Sequence, residues 1–312
     1  MEKRKLGTSG PEVSLVGLGT NNFGGRIDLE ASRRVVDRAF ELGVTLIDTA
    51  DIYGNRGGSE EVLGQILGSR RKDIVLATKF GMAMDDAVKL KGASRAYIMQ
   101  AVEGSLRRLR TDWIDLYQVH QPDPSTPIEE TLRALDGLVK AGKVRYIGCS
   151  NFSAAQVEEA QSTAKRLGLA SFVCCQDEYS LIARDLEKDR IGVMRKHGLG
   201  LLPFFPLASG LLSGKYKQSA PFPAGSRLAD PPRFAERFIS ARNWRLVEGL
   251  NEFLARRGHT LLELAMSWLA GRQPVGSIIA GATRPEQVEQ NVAAVGWKLT
   301  PDEIAEIDRI TA

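Results

Sequence analysis

Short apolar runs alternate with stretches of helical period along the chain. The runs at 14–19, 45–50, 74–79, 114–120, 144–150, 171–176, 200–205 and 277–281 predict strands. In most of them the apolar residues are nearly continuous, as in parallel strands covered on both faces. Helical patterns are predicted at about 28–42, 59–68, 94–110, 127–141, 185–197, 233–256, 260–271, 285–295 and 301–310, with a further helix opened by Ser153. Asp28, Ser94 and Ser153 are placed to cap. Ala31, Val35, Val36, Ala39 and Phe40 form one apolar stripe. Residues 3–13 read as a hairpin turning at Thr8-Ser9-Gly10-Pro11.

Eight strands, most followed by a helix, in 312 residues predict an α/β fold. The expected architecture is a single TIM (β/α)8 barrel with an N-terminal β-hairpin and extra C-terminal helices. An open doubly wound sheet is the alternative. It calls for G-x-G-x-x-G after the first strand, and GLGTNNFGG lacks that spacing. No linker divides the chain, so one domain over 1–312 is expected. The Pro- and Gly-rich stretch 214–232 is too long for a plain connector. It reads either as a mobile flap or as a decorated loop.

Composition narrows the function. At 43% hydrophobic the chain can bury a large core. Its 42 Lys and Arg against 38 Asp and Glu give a net charge of only +4. The clusters Arg70-Arg71-Lys72 and Arg256-Arg257 read as positively charged helix ends without interleaved aromatics, so no nucleic-acid partner is expected. Cys149, Cys174 and Cys175 lie in apolar runs and read as small buried hydrophobes. His120, His197 and His259 are too scattered for a metal set. MEKRKLGTSG has no apolar segment of a signal peptide, and no apolar run reaches the roughly 20 residues that span a bilayer. A soluble cytoplasmic protein with no membrane partner is expected, and nothing in the pattern fixes an oligomeric state.

In such a barrel the chemistry lies at the C-terminal ends of the strands. The segment TLIDTADIYG, 45–54, places Asp48 where an apolar strand ends and Tyr53 in the loop beyond. A carboxylate at a buried strand mouth calls for a cation. Lys79 ends the strand DIVLATK, and His120 ends IDLYQVH. Thr20, Ser150, Asn151 and Gln176 are the other polar strand ends. A free phenol has a pKa of about 10, too high for easy transfer at neutral pH. A neighbouring ammonium is expected to lower it. Asp48 would hold Lys79 charged, and His120 would orient a substrate oxygen. Together they suit proton donation to a carbonyl oxygen while a hydride reaches its carbon. Taken singly, each residue reads as ordinary packing or a solvated charge; the joint placement carries the argument. Lys79 as a Schiff-base amine of an aldolase or isomerase is an alternative.

These residues match a family. The chain resembles the aldo-keto reductases along nearly its whole length, through DTADIYG, LATKF, SLRRLRTDWIDLYQVHQPD at 105–123, GCSNF at 148–152, QDEYSL at 176–181, FPLASGLLSGKY at 205–216 and GATRPEQVEQN at 281–291, in family order. The resemblance implies an eight-stranded barrel binding NADPH/NADP+ in extended form and acting on a small-molecule carbonyl substrate. It implies Tyr53 as the acid, Lys79 and Asp48 as its tuning pair and His120 as the orienting group. Thr20 and Asn21 would lie near the cofactor, while Ser150, Asn151 and Gln176 would hold the carboxamide. Leu207, Ser209, Gly210 and Lys215 would line the pyrophosphate, joined by Arg227. Gly281, Thr283, Gln287, Gln290 and Asn291 would hold the adenosine end. Gly281 also ends a strand just before a helix, whose free N–H groups favour a phosphate. Arg284 and Lys215 add charge there, favouring NADPH over NADH.

Two departures stand out. Phe204-Phe205-Pro206 replaces a Tyr or Trp before Ser-Pro-Leu, so Phe204 stacks without a polar handle. Gln290 replaces a common Glu at the adenine. Potassium-channel β subunits share the fold and offer a second reading as a cofactor-binding regulatory subunit; that branch typically lacks the histidine, which is present here as His120. A sugar dehydrogenase working in the oxidative direction is a third. Substrate choice is expected from loops after the first, fourth and seventh strands and from the tail. Phe23 reads equally as a pocket aromatic or as packing, and Trp113 is expected away from the site. The short polar tail after Leu299 predicts an open pocket.

Overall fold

Parallel strands need crossover connections, and here each crossover is helical. The computed structural model describes residues 1–218, 220–229 and 232–312, and the side chains of all of these except residues 232 and 233. The expectations for 214–232 and 233–256 therefore fall partly outside the described residues, at 219, 230 and 231 and at the side chain of 233.

A hairpin of β1 (Lys3–Lys5) and β2 (Glu12–Ser14) comes first, with Lys3 opposite Ser14. The barrel follows as β3 (Val16–Gly19), α1 (Leu29–Glu41), β4 (Leu46–Asp48), α2 (Tyr53–Ile66), β5 (Val75–Phe80), α3 (Arg95–Leu109) and β6 (Ile114–Val119). It continues as α4 (Ile128–Lys140), β7 (Val144–Ser150), α5 (Ala154–Leu167), β8 (Phe172–Glu178), α6 (Arg190–Lys196) and β9 (Gly200–Phe204). The chain ends with α7 (Pro232–Phe238), α8 (Ala241–Leu254), α9 (Leu261–Ala270), β10 (Ile278–Gly281), α10 (Pro285–Ala293) and α11 (Pro301–Thr311). The strands form one eight-stranded sheet in the order β10-β3-β4-β5-β6-β7-β8-β9, all pairs parallel. A parallel bridge between Leu201 and Val275 closes it into a barrel, with Leu201 N donating to Pro274 O at 2.9 Å.

The barrel interior is packed by Leu46, Ala77, Leu116, Cys174, Leu202 and Ile279. Leu6 and Val13 of the hairpin region join that cluster and are fully buried. The hairpin thus covers one mouth, and the strand ends beyond Asp48, Lys79 and Gln176 form the other. Caps set where the helices begin: the side chains of Asp28, Ser94 and Ser153 each accept from a first-turn N–H.

Several details differ from the sequence pattern. The helix expected over 233–256 breaks at Ile239–Ser240, because the Ser240 hydroxyl accepts from Asn243 N and starts α8 afresh. The helix expected at 185–197 is a 3₁₀ turn at Asp185–Glu187 followed by α6. On α1 Ser32 is buried in place of Ala31, its hydroxyl donating to Asp28 O at 2.7 Å. Arg71 is not a solvated helix-end charge: it pairs with Asp115 at 2.7 Å and lies over the Trp113 ring. Phe23 is fully buried in the cluster between α1 and the strands, so it packs and does not line the cavity. Trp113 lies away from the strand-end mouth, with Arg71 and Arg145 over its ring. The three cysteines are free and buried. The tail helix α11 packs against α8, and Arg184 holds Asp308 at 2.9 Å and Thr311 at 2.6 Å, leaving the cavity uncovered. Among the described residues no helix is long and apolar enough to cross a membrane.

The close crossing of α2 and α3 depends on Gly64. A Cβ there would lie 2.1 Å from Arg108 O and 2.9 Å from Leu109 C. Both are backbone atoms and cannot rotate away. Gly64→Ala is expected to lower unfolding free energy by about 1–3 kcal/mol, measured by urea denaturation. An unchanged midpoint would contradict this packing.

Candidate active site

Parallel register brings the polar strand ends together. Asp48 pairs with Ala77 on β5, and Lys79 pairs with Gln118 on β6. Residues two apart on a strand face the same side, so Ala77 and Lys79 both point inward, and Lys79 lies diagonally above Asp48. The Lys79 ammonium donates to Asp48 Oδ2 at 2.6 Å, Thr49 O at 2.9 Å and Tyr53 Oη at 3.5 Å. Its three donors therefore meet three acceptors. The lysine side chain is fully buried, and that of Asp48 is 3% exposed. Such a pair is sustained only when the remaining lone pairs are also met. Gln176 Nε2 at 2.9 Å and Gln118 Nε2 at 3.3 Å both donate to Asp48 Oδ1.

Burial alone would lower the lysine pKa, but Asp48 and Tyr53 raise it above its ordinary value, so the ammonium stays charged. For Tyr53 the balance goes the other way. Burial raises the phenol, Asp48 adds to this, and Lys79 only partly pulls it down. The lysine lowers the phenol as expected, but desolvation outweighs its 3.5 Å contact, and the net direction is upward. Burial and, after it, the nearby Lys79 depress His120 to about 3, which leaves a neutral imidazole. Its ring stands edge-on to Tyr53 with centroids 5.7 Å apart. Its backbone is pinned by Phe80 O, which accepts from His120 N at 2.9 Å, and by Asn151 Nδ2, which donates to His120 O at 3.0 Å.

Tyr53 stands in the turn before the regular part of α2, as the sequence pattern placed it. Beneath it Ser59 ties two strand ends: Thr49 Oγ1 donates to its hydroxyl at 2.9 Å, and that hydroxyl donates to Thr20 O at 2.9 Å. At the ends of β7 and β8, Ser150 Oγ donates to Gln176 O at 2.7 Å, and Asn151 adopts φ 62° while donating to Ser150 Oγ at 3.0 Å.

A cavity of about 1420 Å³ opens over these groups, larger than an ordinary small-ligand pocket. Its wall carries Thr20, Asn21, Asp48, Tyr53, His120, Ser150, Asn151 and Gln176. It continues past Phe204, Phe205, Pro206, Leu207, Ser209, Gly210, Lys215 and Arg227 to Gly281, Thr283, Arg284, Gln287, Gln290 and Asn291. Lys79 lies just behind the wall, reached through Tyr53 and Asp48. Ala208, Ser209 and Gly210 have left-handed φ of 46°, 56° and 96°, a tight turn in which Ala208 N donates to Phe205 O at 2.8 Å and Gly210 N to Leu207 O at 2.7 Å. Ser209 Oγ is buried there with no hydrogen-bond partner among the described residues. At α10 the N-cap Arg284 makes no side-chain cap bond, and Gln287 accepts from Thr283 N at 2.8 Å. The unpartnered Ser209 hydroxyl, the cations Lys215 and Arg284 and the helix end without a side-chain cap fit a phosphorylated dinucleotide.

The 214–232 stretch is tied to the first loop: Arg227 Nη1 donates to Asn22 Oδ1 at 2.7 Å, and Arg26 Nη2 to Gly225 O at 2.5 Å. Sequence reasoning missed Gln118, although a lone amide inside the apolar run IDLYQVH was a usable signal. It also missed Asn22, Arg56, Met82, Phe234 and Arg237 on the wall. These have no local pattern, because only the closure of the barrel brings them to one rim.

Residues 15–312 match the model of the Aldo/keto reductase family. A probable voltage-gated potassium channel subunit beta of Arabidopsis thaliana is 38% identical over 322 residues, covering 99% of this chain and 96% of that protein. A protein of the same name from Oryza sativa subsp. japonica is 36% identical over 322 residues, with the same coverage of each.

Two residues before Tyr53, Asp51 is buried, and both its carboxylate oxygens lack a hydrogen-bond partner among the described residues. Burial, then Glu60, push it up to about 8, against the pull of Arg108 and Lys79. A raised carboxylate pKa contributes stability that is fully present below the unfolded value of about 3.9 and is lost as pH rises through 8. Asp51→Asn is therefore expected to gain stability over the native chain progressively between pH 4 and pH 8, by more than about 1 kcal/mol at the upper end. Chemical denaturation at several pH values checks this; a difference independent of pH would contradict it.

Proposed function

The chain belongs to the aldo/keto reductase family, and from that premise we propose that it is an NADPH-dependent oxidoreductase reducing an aldehyde or ketone to the alcohol. The observation that carries the proposal is one line of contacts: Asp48 to Lys79 at 2.6 Å and Lys79 to the Tyr53 hydroxyl at 3.5 Å, with the neutral ring of His120 beside the phenol. NADPH, when bound, supplies the hydride. Ser150, Asn151 and Gln176 would hold its carboxamide, with Phe204 beside the ring. Thr20 and Asn21 lie alongside. Leu207, Ser209, Gly210, Lys215 and Arg227 would face the pyrophosphate, and Gly281, Thr283, Arg284, Gln287, Gln290 and Asn291 the adenosine end.

His120 directs the carbonyl oxygen toward Tyr53. The phenol hydroxyl gives its proton to that oxygen as the carbon accepts the hydride, and the alcohol leaves. Lys79 stabilises the phenolate left behind, and Asp48 keeps the lysine charged and in place. Gln118 and Gln176 hold the second carboxylate oxygen, which fixes the direction of the first. The reverse reaction, alcohol oxidation with NADP+, uses the same groups. We place the protein in the cytoplasm, acting on a small-molecule carbonyl compound.

A second reading follows from the names of the two plant relatives: a cofactor-binding regulatory subunit that assembles with a potassium channel. Stopped-flow oxidation of NADPH against a panel of aldehydes and ketones separates the two. Turnover supports the reductase, and none on any carbonyl leaves the subunit reading.

Tyr53→Phe is expected to bind NADPH with unchanged affinity and to lose about 10²–10⁴ in kcat. A kcat within threefold of the native value would remove Tyr53 as the acid. Fluorescence titration is expected to give a lower Kd for NADPH than for NADH; equal values would contradict the role given to Lys215 and Arg284.

A further inference from the structure

Between Tyr53 and the regular part of α2, four successive residues are left-handed: Gly54, Asn55, Arg56 and Gly57 have φ of 66°, 61°, 67° and 119°. Glycine adopts this region freely, but Asn55 and Arg56 carry side chains that disfavour it. Strained backbone of this kind concentrates at functional sites. Here it projects Asn55 and Arg56 onto the same cavity wall as Tyr53 and His120.

Arg56 already engages a carboxylate. Its Nη2 donates to Asp86 Oδ1 at 2.6 Å, and Asp86 lies on the loop after β5 with its side chain 94% exposed. An ion pair that exposed is weak, so a ligand anion at the cavity mouth competes with it on favourable terms. Other cations on the wall are engaged differently. Arg237 pairs with Glu178 and lies over the Phe205 ring, and Arg26 donates to Gly225 O. Lys215, Arg227 and Arg284 face the cofactor phosphates in the reading above. The carboxylate of Asp48 on the same wall is matched by Lys79. On this wall the guanidinium of Arg56 is therefore the cation open to a substrate anion, in exchange for Asp86.

We propose that Arg56 is a specificity-determining residue and that the preferred substrates are carbonyl compounds carrying a carboxylate, which displaces Asp86 from the guanidinium. The inference rests on the reductase reading and adds the substrate class to it. The reduction is unchanged: hydride to the carbonyl carbon, proton from Tyr53 to the oxygen, with the carboxylate as a spectator held by Arg56.

The test uses the full chain with NADPH and two matched aldehydes, 4-carboxybenzaldehyde and its methyl ester, which differ mainly in charge. The ratio of kcat/KM, acid over ester, is expected to exceed one and to fall as salt is raised. It is expected to drop about tenfold in Arg56→Gln, the usual scale of one hydrogen bond to a charged group. It is expected to rise in Asp86→Asn, a change at an exposed position that leaves the fold untouched. A native ratio of one or less, or a ratio that neither variant moves, would overturn the inference while leaving the reductase reading intact. Failure to reduce either aldehyde, or any carbonyl in a wider panel, would remove both.

Discussion

The buried ion pair between Lys79 and Asp48 is the constraint around which the open end of the barrel is built. Two charges with almost no exposure cost free energy that a well-packed apolar pair would not, so such a pair is poor evidence for stability. What keeps it is the completeness of its surroundings. The ammonium has three acceptors and the carboxylate is held on both oxygens. Those partners come from β4, β5, β6, β8 and the start of α2, so the site forms only when the barrel closes in register. The charge then reaches outward through a single hydroxyl, that of Tyr53, which is the proton-bearing group standing at the cavity wall.

Environment divides the labour among the titratable groups. Burial keeps His120 neutral and able to serve as a hydrogen-bond donor near neutral pH. Burial also keeps the phenol protonated, while the adjacent ammonium is what makes its conjugate base tolerable. Backbone strain follows the same geography. Of the left-handed non-glycine residues, Asn55, Arg56, Asn151, Phe205 and Ser209 border the cavity, while Val88, Arg110 and Ala208 do not.

The eight strands and most helices were legible because parallel strands announce themselves as continuous apolar runs and because Asp28, Ser94 and Ser153 cap where the pattern turns helical. That Asp48, Lys79 and His120 share one rim was legible because each sits at a strand end, and Tyr53 lies in the turn just past the first of them. The break at Ser240 was not foreseen: a serine inside a helical pattern reads as a weak helix former, and only the hydrogen bond to Asn243 N makes it a new start. Arg71 read as a surface charge because its partner, Asp115, is 44 residues away in sequence. The phenol's net shift was misjudged because the sequence shows the lysine but not the depth of burial. Arg56 carried no signal, since the left-handed turn that aims it is a property of the folded loop.

Lys79 holds the proton affinity of Tyr53 below what burial alone would give it. The pH dependence of the single-turnover rate of NADPH oxidation, compared between the native chain and Lys79→Met, tests it most directly. The account predicts a profile in the native chain governed by one ionising group, and in Lys79→Met a slower rate with that group moved to higher pH or out of range. A variant with the native profile and rate, at equal cofactor affinity, would contradict it.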